Sequence, residues 1–196
     1  MVKEGVLHAH IRKLSPYPAA YCHQEQAFRA IHAGQPTLVA TGTGSGKTES
    51  FLFPIISRCL QLRDDDAPAG IIAVIVYPMN ALANDQLKRL RTLLAGTDIT
   101  FGRYTGDTET KPDEAMNKWK GENPGQKKLP NELISREAIR ENPPNILLTN
   151  YSMLEYLLLR PEDAPLFGSA FGTSWRHIAI DEAHIYSGAL GTEIAY

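Results

Sequence analysis

Apolar residues fall along this chain in short, near-continuous runs, at 37–41, 71–77, 99–104, 146–149 and 177–180. Val, Ile and Leu crowd these runs without clean alternation. A strand covered on both faces has that pattern, because neither side meets water. Longer stretches with a helical period fill the gaps and predict helices over 22–33, 47–62, 81–94 and 152–159, the last capped by Ser152. Strand runs alternating with helices predict an α/β fold with a mostly parallel sheet and helices on both faces.

Two stretches break the rhythm. Arg63-Asp64-Asp65-Asp66-Ala67-Pro68-Ala69-Gly70 reads as a solvated helix–strand connection. Residues 105–145 form a long polar insertion or loop, broken by Pro112, Pro124, Pro130, Pro143 and Pro144, with a short helix expected over 132–141. A loop of that length inside a compact domain is usually functional or mobile. The bland reading, a solvated variable loop, stands beside it. Residues 188–193 look like the opening of another helix, so the chain is expected to be one domain, 1–196, cut from something larger.

Composition narrows the classes. The 196 residues are 43% hydrophobic and 21% charged, ordinary values for one globular domain. A net charge of −2 provides no global basic field, so any nucleic-acid face must be local or use backbone amides. Cys22 and Cys59 lack zinc-site spacing and are expected as small buried hydrophobes in a reducing compartment. The N-terminus has no apolar signal core, and the longest apolar stretches, 51–56 and 71–77, are far too short to span a bilayer. The chain is therefore expected in the cytoplasm, with no membrane partner.

The chemistry sits at two strand ends. After the run at 37–41 come Thr43, Gly44, Ser45, Gly46, Lys47 and Thr48. Glycines let such a loop curl until successive N–H groups face inward, and the following helix N-terminus adds positive potential. Lys47 is expected to reach the β- and γ-phosphates of ATP, and Thr48 to offer its hydroxyl to Mg²⁺. Thr41 occupies the first position of the Gly-x-x-x-x-Gly-Lys-Thr pattern, where glycine is usual. The competing reading is a glycine-rich turn without a ligand. After the run at 178–180 come Asp181, Glu182, Ala183 and His184. Asp181 is expected to hold magnesium through water, and Glu182 to orient and deprotonate the attacking water. His184 would either couple nucleotide state to a neighbouring lobe or cap local structure.

With these residues in place, the chain from about Tyr21 onward resembles the first RecA-like lobe of a superfamily 2 helicase. Thr43 to Thr48 resembles helicase motif I, and Asp181 to His184 motif II in its DEAH spelling. Tyr21-Cys22-His23-Gln24 resembles the segment where a glutamine reads adenine. That implies the role for Gln24, whose amide donates and accepts at once; Gln26 is the competing choice. Tyr77 to Gln86 resembles motif Ia, implying backbone contacts to nucleic acid from Pro78 and Asn80. Tyr104-Thr105-Gly106-Asp107-Thr108 resembles the next contacting loop, implying Gly106 and Asp107. Leu148 to Leu154 resembles motif Ib, implying Thr149 and Asn150.

Within superfamily 2 the spelling is most similar to large DNA helicases of the Lhr and MrfA type. The resemblance implies ATP and Mg²⁺ as cofactors, DNA as the expected nucleic acid, and a second RecA-like lobe carrying an arginine finger. Such an arginine is worth about 10³–10⁵ in rate in related phosphoryl transfer. The isolated chain is therefore expected to hydrolyse ATP slowly or not at all. The alternative is a nucleotide-switched nucleic-acid or protein binding module that separates no strands. A P-loop enzyme of another kind, such as a kinase, is disfavoured by the segments resembling motifs Ia and Ib.

Overall fold

The computed structural model describes residues 1–42, 44–66, 70–167 and 175–186. The chain forms two compact units, Met1–Ala67 and Pro68–Tyr196. The helix expected over 188–193 lies outside the described residues, as does Thr43.

The first unit is helical: α1 (Ile11–Leu14), α2 (Cys22–His32) and α3 (Lys47–Asp64). Its core joins Leu7 and Ile11 to Ala27 and Phe28 of α2 and to Leu52, Ile55, Ile56 and Leu60 of α3, all buried. The Phe28 and Phe53 rings meet with centroids 6.3 Å apart. Burial pushes the Cys59 thiol up to about 12, which leaves it an unreactive packing group. Cys22, expected to be buried as well, opens α2 and is exposed. Helix α3 runs two residues past the expected end at 62 and takes up the start of the supposed loop.

The strand expected at 37–41 is absent. Residues 35–42 carry no regular secondary structure, and Leu38 is 84% exposed. The sequence there has β-forming chemistry, but a strand exists only as half of a hydrogen-bonded ladder. No described strand pairs with this run; all five belong to residues 68–196.

The second unit is built on those five strands: β1 (Ala73–Tyr77), β2 (Phe101–Arg103), β3 (Glu132–Leu133), β4 (Ile146–Asn150) and β5 (His177–Ile180). They pair in the order β3-β2-β4-β1-β5, every pair parallel. All five residues of β1 are buried, as its unbroken apolar run requires. Val74 and Val76 of β1, with Leu147 of β4, turn to the face covered by Met153 and Leu157 of α7 (Tyr151–Leu159) and Ile139 of α6 (Arg136–Glu141). Alternate residues turn to the other face, where α4 (Asn80–Leu94) buries Ala83, Leu87, Leu90 and Leu94. Helices therefore cover both faces of the parallel sheet. Among the described residues no helix is long and apolar enough to cross a membrane.

Two local expectations change. Asn150, not Ser152, caps α7, its Oδ1 accepting the Met153 N–H at 2.8 Å. Asparagine is at least serine's equal as an N-cap, and Asn150 stands where the β4 backbone is still extended.

The 105–145 insertion is also more ordered than expected. Besides α6 it contains α5 (Pro112–Glu122) and the edge strand β3. Pro112 starts α5 with a preset φ, and Asp113 and Glu114 fill its first turn beside the positive end of the helix. Ser135 caps α6 by accepting the Ala138 N–H at 3.3 Å. Arg91 of α4 anchors the whole segment. Its guanidinium donates to Glu132 at 2.8–3.0 Å and to Asn123 Oδ1 at 2.9 Å, and lies 5.4 Å from the Trp119 ring centre. Glu132 is 1% exposed, so this bidentate pairing is what makes its burial tolerable.

Candidate functional site

In the first unit Gly44, Ser45, Gly46, Lys47 and Thr48, expected to hold phosphate, lie at the start of α3. Gly46 is its N-cap in the left-handed region, at φ 78 and ψ 35. A side chain is doubly excluded there: the backbone disfavours it, and an added Cβ would stand 2.6 Å from Gln24 Nε2. Gly44 also has a left-handed φ, of 75. Lys47 and Thr48 are the first two residues of the 18-residue helix, both half-buried, beside its unpaired N-terminal amides.

Three contacts hold this loop that the sequence does not announce. Lys47 Nζ donates to the Thr41 carbonyl at 2.9 Å. The Thr41 and Ser45 hydroxyls share a 2.6 Å hydrogen bond, so the unusual threonine braces the loop. Gln24 is 5% exposed; its Oε1 accepts the Tyr21 N–H at 2.9 Å and its Nε2 donates to the Gly46 carbonyl at 2.8 Å. The structure therefore places Gln24 against the phosphate loop, with its amide engaged at both ends.

In the second unit β5 delivers the acidic residues. The register Val76↔Ile180 continues into an Asp181 N–H bond to the Val76 carbonyl at 3.0 Å, so the chain leaves the sheet immediately after. Asp181 Oδ1 accepts the Glu182 N–H at 2.9 Å. Glu182 is one of two described non-glycine residues with positive φ, at φ 51 and ψ 41. Left-handed geometry costs a non-glycine residue about 1–2 kcal/mol, and such strain gathers at functional sites. The Glu182 carboxylate meets His184 Nδ1 at 3.2 Å, while His184 is largely exposed. Burial, and next the Asp181 charge, push the Tyr77 and Tyr186 phenols up, so both stay neutral beside the acid.

The residues expected to touch nucleic acid lie at the C-terminal ends of β1, β2 and β4. Three of them form one hydrogen-bonded chain: Asn150 Nδ2 donates to Asn80 Oδ1 at 2.8 Å, and Asn80 Nδ2 donates to Asp107 Oδ2 at 2.7 Å. Pro78 is half-buried beside them, and Gly106 is exposed at the tip of its turn. Thr149 differs: it is fully buried, its hydroxyl donating to the Tyr104 carbonyl at 2.7 Å, so it serves the loop from within. Sequence reasoning missed Lys118 and Arg136, which reach the same loop from the insertion. Neither sits in a motif, and no local signal marks them.

A parallel sheet flanked by helices, with a glycine turn opening a helix and acids after a strand, defines a RecA-like P-loop lobe. Residues 21–196 match the DEAD/DEAH box helicase family, and the chain belongs to it. It is 31% identical to the Druantia protein DruE of Escherichia coli and 27% identical to the ATP-dependent helicase HRQ1 of Saccharomyces cerevisiae, over 91% and 89% of its length. In each case it spans 14% of the relative. Among solved structures it resembles the helicase MrfA bound to DNA, with a TM-score of 0.72 and 25% identity over 97% of this chain and 22% of MrfA. MrfA bound to DNA and AMPPNP matches at 0.65 and 27% identity, over 89% of this chain and 20% of MrfA.

Proposed function

We propose that this chain is the ATP-binding lobe of a DNA helicase or translocase, working with a second RecA-like lobe in the cytoplasm. The Gly46 turn carries the reading. It is a left-handed glycine closed over by Gln24, and it opens a long helix on Lys47 and Thr48. That arrangement suits a polyphosphate, and MrfA is a relative seen with AMPPNP and DNA.

The roles follow from the donor chemistry. Inward amides of residues 44–48, with Thr43, cradle the phosphates. Lys47 exchanges the Thr41 carbonyl for β- and γ-phosphate oxygens. Thr48 would offer its hydroxyl to Mg²⁺ and Asp181 would hold the ion through water, both being the hard oxygen donors that it takes. Bound there, the ion would offset charge developing on the γ-phosphate. Glu182, poised on a strained backbone, orients the attacking water and takes its proton. Gln24 retains the loop through both ends of its amide, which leaves one N–H and one lone pair for adenine, and His184 relays the state of the Glu182 carboxylate to a neighbouring lobe. Pro78, Asn80, Gly106, Asp107 and Asn150 form the strand-tracking edge, with Thr149 beneath it.

Phosphate release by the protein with its second lobe present, read with and without an oligonucleotide, tests this. Single-stranded DNA is expected to raise turnover by on the order of tenfold, a typical coupling between two sites. Turnover indifferent to nucleic acid would contradict the motor and leave a nucleotide switch. Stimulation by RNA in place of DNA would reassign the track.

A further inference from the structure

We infer that the later part of the insertion, residues 109–145, aims the nucleic-acid-contacting turn at its start, with Lys118 and Arg136 as the positioning residues; the inference rests on the nucleic-acid reading proposed above. Residues 105–108 form a β-turn closed by the Thr108 N–H on the Thr105 carbonyl at 3.1 Å. The Thr105 N–H donates to Thr108 Oγ1 at 3.0 Å, and that hydroxyl donates to the Arg103 carbonyl at 2.9 Å. Both threonines are buried, while Gly106 and Asp107 are exposed, with open space where a Gly106 side chain would be.

The insertion grips this turn by its carbonyls. Arg136 Nη2 donates to the Thr105 and Gly106 oxygens at 3.1 and 3.2 Å. Lys118 Nζ donates to the Asp107 oxygen at 2.6 Å, held also by Glu109 Oε1 at 3.0 Å. In a trans peptide the C=O and the next N–H point in opposite directions. Holding the 105 and 106 carbonyls therefore turns the Gly106 and Asp107 N–H groups away from Arg136. Neither N–H has a protein acceptor among the described residues. Two exposed amides turned away from Arg136 suit the oxygens of a backbone phosphate. The Asp107 carboxylate, which would repel that phosphate, is drawn aside by Asn80.

The grip is itself anchored. The Arg136 guanidinium lies 5.4 Å from the Tyr104 ring centre, and the Arg136 and Glu137 amides bond the Glu109 and Thr110 carbonyls at 2.9 and 3.2 Å. Arg91 ties the rest of the insertion to α4, the helix that begins with Asn80. The element that looks like a variable loop thus fixes one contacting turn relative to another.

The test compares Lys118→Met, Arg136→Met and the pair with the unsubstituted chain, and uses Lys118→Arg as the conservative control. Affinity for a fluorescein-labelled oligodeoxythymidylate is read by anisotropy, and amide exchange at Thr105 and Thr108 by NMR. The double variant is expected to bind about tenfold more weakly, to exchange those two amides faster, and to melt as before. Lys118→Arg should retain both affinity and slow exchange. The slope of log Kd against log salt should stay unchanged. A direct phosphate contact by either cation would lower it by about 0.7 and overturn the positioning role. Unchanged exchange in the double variant overturns the brace whatever the affinity. If the unsubstituted chain binds no oligonucleotide, the nucleic-acid reading fails, and the inference with it.

Discussion

Glu182→Gln, made with the second lobe present, is expected to lower ATP turnover by about 10²–10⁴-fold, the usual range for a lost general base, while leaving ATP affinity nearly unchanged. The substitution keeps size and shape and removes the charge and basicity of the carboxylate. The backbone at Glu182 is held by two neighbours: its N–H donates to Asp181 Oδ1 at 2.9 Å, and its carbonyl accepts the Ile185 N–H at 2.9 Å. Glutamine should therefore occupy the same left-handed position, and the loss would report chemistry rather than misfolding. Steady-state phosphate release read beside nucleotide binding separates the two terms. Turnover within a factor of two or so of the parent would remove Glu182 from the reaction.

Asp163→Ala is expected to destabilise the second unit by about 3–5 kcal/mol, the cost of breaking a buried ion pair from one side. Asp163 is fully buried, accepting the Tyr104 hydroxyl at 2.6 Å and Arg140 Nε at 2.7 Å through Oδ1. Arg140 also faces Glu162 at 3.2 Å, and its guanidinium lies 5.9 Å from the Tyr104 ring centre. Alanine leaves a buried phenol without its acceptor and strips a guanidinium of its inner partner. A fall in melting temperature of roughly 10 °C or more should follow for a unit of this size. The same network predicts alkaline sensitivity. Burial, and then the Asp163 bond, raise the Tyr104 phenol above its ordinary 10.0. Its stabilisation is complete below that value and fades at higher pH, as the unfolded chain ionises first. Thermal melts of the parent and variant from neutral to strongly alkaline pH check both; a variant melting within about 2 °C of the parent contradicts the ion-pair account.

How much of this was legible in the sequence depends on where each element's stability resides. The strands at 71–77, 146–149 and 177–180 and helices α3 and α4 emerge near their expected places, because burial on two faces and helical period are written locally. The run at 37–41 is apolar like β1, yet no described strand pairs with it, and pairing is not a local property. Helix α5 was hidden for the opposite reason. It buries only Ala115 and Trp119, too thin a stripe to read as amphipathic. Its neighbourhood is secured by Arg91 and Glu132, 41 residues apart.

At the site, the left-handed glycines and the helix-opening Lys47 and Thr48 could be anticipated from residue type alone. The contacts to Gly46 from Gln24, to Thr41 from Lys47 and to the 105–107 carbonyls from Lys118 and Arg136 could not, since each joins a side chain to a backbone oxygen. Backbone oxygens carry no residue identity, so no spacing rule reveals them. Thr149 makes the same point: a polar residue at a strand end reads as a contact, and burial turns it into a support.

The central claim is that the Gly46 turn and Lys47 hold the phosphates of ATP. Isothermal titration of ATP with Mg²⁺ into the chain and into Lys47→Ala tests it most directly. The account predicts one nucleotide bound per chain and an affinity at least about tenfold lower once the ammonium is gone, given that a charged hydrogen bond is worth about 1.5–3 kcal/mol. Equal affinity in the two proteins would contradict it.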